Sequence, residues 1–174
     1  MPLKLLKKME YVRNAWYVAG WSSEFDRNLS AIKVLDENIV IYRTSKNRIV
    51  ALKDRCPHRF LPLSMGKLDG DNVECGYHGL TFNSEGQCIR VPGQKKIQKT
   101  LRVPNFQVYE KYNIVWIWMG EKSLANYSDI FDMPQFTEPG WEVHQGEAIH
   151  LNSNYLNVAE NLVDPAHVSF VHPT

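Results

Sequence analysis

Two short segments, each with one cysteine and one histidine, constrain this sequence more than any other feature. The first is Cys56-Pro57-His58, and the second, after sixteen intervening residues, is Cys75-Gly76-Tyr77-His78. Two thiolates and two imidazoles are a complete set of four metal ligands. The proline restricts the first segment to extended conformations, and the glycine lets the second approach a ligand closely. The fold must therefore bring the two segments together.

Two kinds of metal site are compatible with this ligand set. A structural zinc site also uses two cysteines and two histidines, although a zinc finger usually places both cysteines before both histidines. Here each segment provides one of each, which suits a diiron cluster with both cysteines on one iron and both histidines on the other. The pattern favours a [2Fe–2S] cluster, with zinc as the alternative. The expected cluster ligands are Cys56, His58, Cys75 and His78.

The chain up to about residue 119 is typical of a mainly β protein. Three pairs of segments are rich in β-branched and aromatic residues, and a short polar turn joins each pair. The pairs are 38–44 with 48–52, 80–82 with 87–91, and 106–111 with 114–119. They predict hairpins in an antiparallel β-sandwich or a small barrel.

The pattern changes after Gly120. It predicts a short helix over 123–131, a strand over 141–150 and a second helix over 154–163. We place a domain boundary between residues 125 and 126. The segment 126–174 is too short for an independent core, so we expect it to be the truncated beginning of an α+β domain.

Charge and composition exclude several classes of function. The chain has 20 Lys and Arg against 19 Asp and Glu, which gives no electrostatic reason to expect nucleic-acid binding. No apolar run approaches the length of a membrane span, and the first ten residues lack the apolar core of a secretory signal. Three cysteines argue against a disulfide scaffold, and Cys88 is expected to be a small core or surface thiol. We therefore expect a cytoplasmic protein with no membrane partner.

The two cysteine–histidine segments resemble those of a known family. Residues 56–61 (CPHRFL) and 75–82 (CGYHGLTF) look like the two cluster loops of Rieske domains, and Pro92-Gly93 resembles the third loop that covers the cluster. The stretches 14–21, 115–120 and 160–172 are similar to the oxygenase component of Rieske non-heme iron oxygenases, especially the vanillate O-demethylase and toluenesulfonate monooxygenase group. The resemblance implies a Rieske domain over 1–125 and the start of a helix-grip catalytic domain over 126–174.

A second group of ligand-type residues lies near the end of the sequence. Asp164, His167 and His172 offer two imidazoles and one carboxylate, the ligand types of non-heme iron(II) sites. Alternatively, Asp164 is a helix N-cap with Pro165 at the first helical position. His172 is turned by roughly 140° from His167 in an ideal helix, so joint iron binding needs an irregular helix between them. Spacing alone leaves both interpretations open.

The family resemblance assigns a role to each of these residues. The family pattern N-x-x-D-x-x-H-x-x-x-x-H matches Asn161, Asp164, His167 and His172. It implies that the two histidines bind a mononuclear Fe(II) and that Asn161 supports this site. Asp164 would be the carboxylate that links the cluster of one subunit to the iron of its neighbour. The family's third iron ligand, a carboxylate far downstream, has no counterpart in these 174 residues.

The resemblance also implies an activity. A flavin and iron–sulfur reductase would supply electrons to the cluster of a homotrimeric oxygenase, and O₂ would be activated at the mononuclear iron. The expected reaction is O-demethylation or methyl hydroxylation of an aromatic acid such as vanillate, and the 174 residues alone are expected to be incomplete for turnover. The alternative is a stand-alone Rieske ferredoxin-type electron carrier, which would need only the first domain. Residues 121–174 favour the oxygenase.

Overall fold

The computed structural model of the protein describes residues 11–172. The first ten residues, for which we expected no secretory signal, lie outside this range. The chain divides into two compact units, Met1–Val143 and His144–Thr174. The domain boundary between residues 125 and 126 stays a prediction. Across the described residues, no helix combines the length and the hydropathy that a bilayer crossing demands.

Short antiparallel strands build the first unit. In chain order they are β1 (Ala15–Trp21), β2 (Ser30–Val34), β3 (Glu37–Arg43), β4 (Ile49–Lys53), β5 (Lys67–Asp69), β6 (Asn72–Glu74), β7 (Thr81–Phe82), β8 (Cys88–Arg90), β9 (Asn105–Phe106), β10 (Val108–Lys111) and β11 (Ile114–Met119). They form three sheets with the orders β1-β11-β10, β2-β3-β4-β9 and β5-β6-β7-β8. The predicted mainly β, antiparallel fold is confirmed.

The three predicted hairpins are all present. Strands β3 and β4 pair from Ile39 opposite Lys53 to Arg43 opposite Ile49, and the buried residues of β3 are β-branched or aromatic, as expected for a central strand. Between β10 and β11, Tyr112 and Asn113 both have positive φ angles of 62° and 57°. Two successive left-handed residues are what a tight two-residue hairpin turn requires.

Two sequence predictions of regular structure are wrong. The helix expected over 123–131 is replaced by two separate 3₁₀ turns, Lys122–Leu124 and Tyr127–Asp129. Asn126 separates them because its side chain accepts the backbone N–H of Ser128 at 3.1 Å and starts a new turn. The strand expected over 141–150 is an irregular exposed segment. A strand needs a neighbour for its backbone hydrogen bonds, and no strand of the described chain pairs with it.

The second unit contains the helix predicted over 154–163. Helix α1 spans Tyr155–Val163, and its N-cap Asn154 accepts the backbone N–H of Leu156 at 2.9 Å. A 3₁₀ turn, Pro165–His167, and the short helix α2, Val168–Val171, follow it. Within the described chain, large apolar side chains of this unit are exposed. They include Leu162, Val163, Phe170 and Val171.

Candidate metal centre

One end of the sheet β5-β6-β7-β8 collects the segments that carry the predicted ligands. At this end Lys67 pairs with Glu74 between β5 and β6, Glu74 pairs with Thr81 between β6 and β7, and Thr81 pairs with Arg90 between β7 and β8. The chain before β5, the link from β6 to β7 and the chain after β8 must therefore all meet at this end. We call them loop 1 (residues 54–66), loop 2 (residues 75–80) and loop 3 (residues 91–101). The two cysteine–histidine segments lie in loops 1 and 2.

Loops 1 and 2 share one backbone hydrogen-bond pattern around their cysteines. The N–H of Cys56 donates to the carbonyl of Leu61 at 2.9 Å, and the N–H of Phe60 donates back to the carbonyl of Cys56 at 2.9 Å. In loop 2 the N–H of Cys75 donates to Leu80 at 2.8 Å, and that of Gly79 donates to Cys75 at 3.0 Å. The two loops are therefore equivalent turns that present their cysteines in the same way.

The fourth residue after each cysteine has a left-handed backbone. Gly79 has φ of 70°, which glycine adopts without steric cost. Phe60 has φ of 63°, and this conformation is strained for an aromatic residue. The guanidinium of Arg55 lies 4.0 Å from the centre of the Phe60 ring, and this cation–π contact stabilises the turn.

The two thiols lie side by side inside the core. Cys56 and Cys75 each expose 2% of their surface and pack with Leu63, Phe82 and Val103. Burial, helped by the neighbouring Cys75 thiol, raises the pKa of Cys56 to about 11. A metal ion that binds here must displace the thiol proton, which is how thiolate ligation couples metal affinity to pH.

The two imidazoles lie together at the surface. The rings of His58 and His78 have centroids 4.6 Å apart, and the Tyr77 ring lies 4.0 Å from the His78 ring. Both histidines are exposed. They line a cleft of about 340 Å³ together with Leu80, Val91, Pro92, Gln94 and Leu101. Loop 3, in which Pro92-Gly93 resembles the third loop of Rieske domains, thus lies next to the two imidazoles.

The four predicted ligands therefore form two pairs, with the two thiols buried in the core and the two imidazoles exposed at the surface. In the described part of the chain, no three Cys, His, Asp or Glu side chains gather around one metal position. Two pairs of unlike ligands fit the two chemically distinct irons of a cluster with mixed cysteine and histidine ligation. The residues present thus fit the [2Fe–2S] group that the sequence favoured.

A buried carboxylate that the sequence analysis missed closes loop 1. Asp54, which is 7% exposed, accepts the backbone N–H of Ser64 at 2.7 Å and its hydroxyl at 2.6 Å. The carbonyl of Met65, the next residue, would lie 2.9 Å from a Cβ placed on Gly76. The Asp54–Ser64 pair therefore holds the end of loop 1 against loop 2. The only sequence signal for this role was an aspartate two residues before a predicted cysteine ligand.

The third cysteine belongs to the core. Cys88 is buried, its thiol donates to the carbonyl of Arg90 at 3.3 Å, and burial raises its pKa. It forms no disulfide. Of the two alternatives stated for Cys88, core or surface thiol, the structure places it in the core.

The second predicted group lies in the second unit. The carboxylate of Asp164 accepts the N–H of Ala166 at 3.2 Å, and Pro165 occupies the first position of the 3₁₀ turn, as the helix-cap interpretation describes. The helix is irregular between the two histidines, because the 3₁₀ turn ends at His167 and α2 begins at Val168. The two imidazole rings come within 5.8 Å of each other, centroid to centroid.

The hydrogen bonds of His167 select one tautomer. Its Nδ1 bonds to the backbone carbonyl of Asp164, and a carbonyl oxygen can only accept, so Nδ1 carries the proton. The lone pair of the neutral ring is then on Nε2, which lies 3.5 Å from the side-chain amide nitrogen of Asn161. Fixing the tautomer through Nδ1 is the usual support of a metal-binding histidine. Asn161, Asp164 and His167 are thus in contact, and iron binding by His167 and His172 stays a prediction.

Comparisons with known proteins agree with the ligand pattern. Residues 15–107, more than half of the chain, match the family model of the Rieske [2Fe–2S] domain. The iron–sulfur subunit of a toluene-4-sulfonate monooxygenase system from Comamonas testosteroni is 41% identical over 165 residues, which are 94% of this chain and 47% of that protein. The vanillate O-demethylase oxygenase subunit of a Pseudomonas species is 34% identical over 162 residues, 93% of this chain and 45% of that protein.

A solved structure gives the same result. The crystal structure of dicamba monooxygenase bound to dicamba matches with a TM-score of 0.86 and 37% identity, over 93% of this chain and 48% of that chain. The chain spans about half the length of the relatives that it matches.

Proposed function

This chain belongs to the Rieske [2Fe–2S] family, and on that premise we propose that it is the amino-terminal part of the oxygenase component of an aromatic-acid monooxygenase. The observation that carries the proposal is the pairing of two buried thiols and two exposed imidazoles in equivalent loops. The relatives named above match more than 90% of this chain and are by name a monooxygenase-system subunit and an oxygenase subunit, which favours an oxygenase over a stand-alone electron carrier. The oxidoreductase activity would belong to the complete enzyme.

In this proposal the four loop side chains hold the cluster. Cys56 and Cys75 would hold one iron, on the buried side, as thiolates, and His58 and His78 would hold the other iron, on the exposed side, through neutral imidazoles. The buried thiols exclude water from one side of the group, and the exposed imidazoles face an electron-transfer partner. When bound, the cluster supplies one-electron transfer, and a mononuclear iron supplies open coordination positions for O₂.

The residues of the second unit would serve the mononuclear iron. His167 and His172 are the proposed ligands, and the backbone carbonyl of Asp164 keeps the proton of His167 on Nδ1 so that Nε2 is free to bind metal. Asp164 is proposed to connect this site to the cluster of a neighbouring subunit in a homotrimer. Asn161, whose amide nitrogen lies 3.5 Å from Nε2, is proposed to support the site from nearby and would give up this contact when Nε2 binds the metal.

The proposed reaction is the hydroxylation of a methyl group on an aromatic acid, which for a methoxyl group gives O-demethylation. A vanillate O-demethylase subunit among the relatives supports this substrate class. The electron donor would be a flavin and iron–sulfur reductase. The proposed compartment is the cytoplasm, and three cysteines that form no disulfide are in keeping with reducing conditions.

The proposal can be tested with Asp164→Asn in the complete protein that contains this chain. The variant keeps the side-chain size but removes the negative charge and alters hydrogen bonding. We expect formaldehyde release from vanillate to fall about 10- to 100-fold, while the electron paramagnetic resonance (EPR) spectrum of the reduced cluster persists. Glu160→Gln, an exposed substitution on α1, is the matched control. Unchanged turnover in Asp164→Asn would reduce Asp164 to a helix cap.

A further inference from the structure

The exposed charged side chains of the three loops at the candidate metal centre are all positive, and the one acidic residue there, Asp54 in loop 1, is buried. Segments 55–61, 75–80 and 91–101 contain five Lys and Arg residues and no Asp or Glu, although the whole chain has nearly equal numbers of both kinds. We call the five cations the basic collar. They are Arg55, Arg59, Lys95, Lys96 and Lys99, and all five are exposed.

Loop 3 brings the lysines of the collar to the imidazole pair. Pro92 and Gln94 line the same cleft as His58 and His78. The N–H of Gln94 donates to the carbonyl of Val91 at 3.1 Å, which closes a turn directly before Lys95. Further along the loop, Ile97 packs against the core that contains both cysteines. Loop 3 is therefore anchored at both ends of the lysine pair 95–96, and its charges stay at the surface.

The charge of these lysines is available to a partner. The ion pairs found among residues 11–172 include none of Lys95, Lys96 and Lys99. Apolar groups are exposed in loops 1 and 2, where Phe60, Met65 and Tyr77 each leave about 60% or more of their surface open. An apolar centre with a charged rim is the usual anatomy of a protein–protein interface.

We propose that the basic collar docks the acidic face of the protein that delivers electrons to the imidazole pair. This inference rests on the proposed function, because it takes His58 and His78 as the point of electron entry. Complementary charge accelerates the encounter of two proteins and orients them, and salt weakens the effect. The collar therefore favours an anionic electron donor and orients this donor toward the imidazoles of His58 and His78.

The first test uses small redox probes of opposite charge. The purified protein is reduced, and its reoxidation by anionic ferricyanide and by cationic hexaammineruthenium(III) is followed by stopped flow at low ionic strength. For the double variant Lys95→Glu/Lys96→Glu we expect ferricyanide to react about tenfold more slowly and the ruthenium complex to react faster. The control Lys33→Glu/Lys46→Glu has the same net charge and alters exposed residues outside the three loops.

The outcomes separate the inference from the function on which it rests. Equal rate changes in the collar variant and in the control would overturn the collar as a docking surface, while the cluster spectrum would still support the proposed function. A wild-type protein without an iron–sulfur spectrum would contradict the proposed function itself. A visible spectrum that is the same in wild type and both variants shows that the substitutions leave the centre intact.

The second test uses a protein donor, an acidic plant-type [2Fe–2S] ferredoxin. Its potential of about −400 mV is low enough to reduce a cluster with histidine ligands. We expect its rate constant with the wild type to fall as salt rises, and to fall more than tenfold at low salt in Lys95→Glu/Lys96→Glu. A rate that does not depend on salt would contradict the proposal. A collar variant with a changed native mass and an unchanged rate would instead make the collar a contact between copies of this chain.

Discussion

The two units of this molecule hold their ligand-type side chains in different ways. In the first unit, Cys56 and Cys75 are buried at the end of a sheet, and backbone hydrogen bonds close each loop. In the second unit, His167 and His172 lie on a 3₁₀ turn and at the end of a one-turn helix. Neighbouring apolar residues there are open to solvent, with Leu162 76% and Phe170 86% exposed. A packed scaffold gives a site its rigidity, so the first unit can preform its site and the second needs further packing.

The largest expected effect concerns the cysteines. Cys75→Ala removes one of the two thiolates proposed to hold the cluster, so we expect complete loss of the cluster, measured as iron and acid-labile sulfide per chain. Cys88→Ala is the control within the same core, since this thiol is not one of the four proposed ligands and its hydrogen bonds are to the backbone. It should keep the cluster and cost about 1 kcal/mol of stability. Loss of the cluster in both variants would mean that the ligand set has been wrongly assigned.

The next prediction compares iron retention in the two units. After mild chelation we expect the 174-residue chain to keep about two irons as the cluster and no stoichiometric third iron. In the described chain, no third Cys, His, Asp or Glu side chain joins the two imidazoles of the second unit to complete a metal site. The double variant His167→Ala/His172→Ala should therefore hold the same amount of iron as the wild type. A third iron that survives chelation and is lost in the double variant would contradict this comparison.

A smaller effect is expected from the carboxylate that closes loop 1. Ser64→Ala removes the hydroxyl that donates to Asp54 and should cost about 1 kcal/mol. Asp54→Ala also leaves the partly buried backbone N–H of Ser64 without its acceptor, and should cost about 2–3 kcal/mol. Urea unfolding of both variants gives these costs. Release of iron to a chelator should follow the same order, and equal release from both variants and the wild type would refute a positioning role.

The smallest effect is a pH dependence far from the metal centre. The Arg27 guanidinium and the backbone and hydroxyl of Ser45 hold the pKa of Asp71 at about 2, below its ordinary value of 3.8. Because the folded-state pKa is depressed, the ionised group stabilises the fold above pH 4, and this contribution disappears as the pH falls toward 2. Asp71→Asn should flatten the loss of stability in that window. Asp69→Asn, in the same hairpin, is the control, and equal slopes in wild type and Asp71→Asn would contradict the assignment.

Much of the fold could be predicted because its signals are local. The spacing of the four ligand-type residues, the hairpins and the helix Tyr155–Val163 all follow from residues close together in the sequence. The strand expected over 141–150 was wrong because a strand depends on a distant partner that composition does not reveal. Asp54 was missed for the same reason, since its acceptor role appears only when loop 1 folds back on Ser64. The left-handed Phe60 is a further case, because no local rule places an aromatic residue there.

The central claim is that one thiol and one imidazole from each loop form a cluster with two histidines on one iron. Pulsed EPR of the reduced protein, prepared with ¹⁵N-labelled histidine, tests this claim most directly. We expect magnetic coupling to the nitrogens of two histidines, one of which disappears in His58→Cys and the other in His78→Cys. A reduced centre that couples to one histidine or to none, or a protein that binds zinc in place of iron, would contradict it.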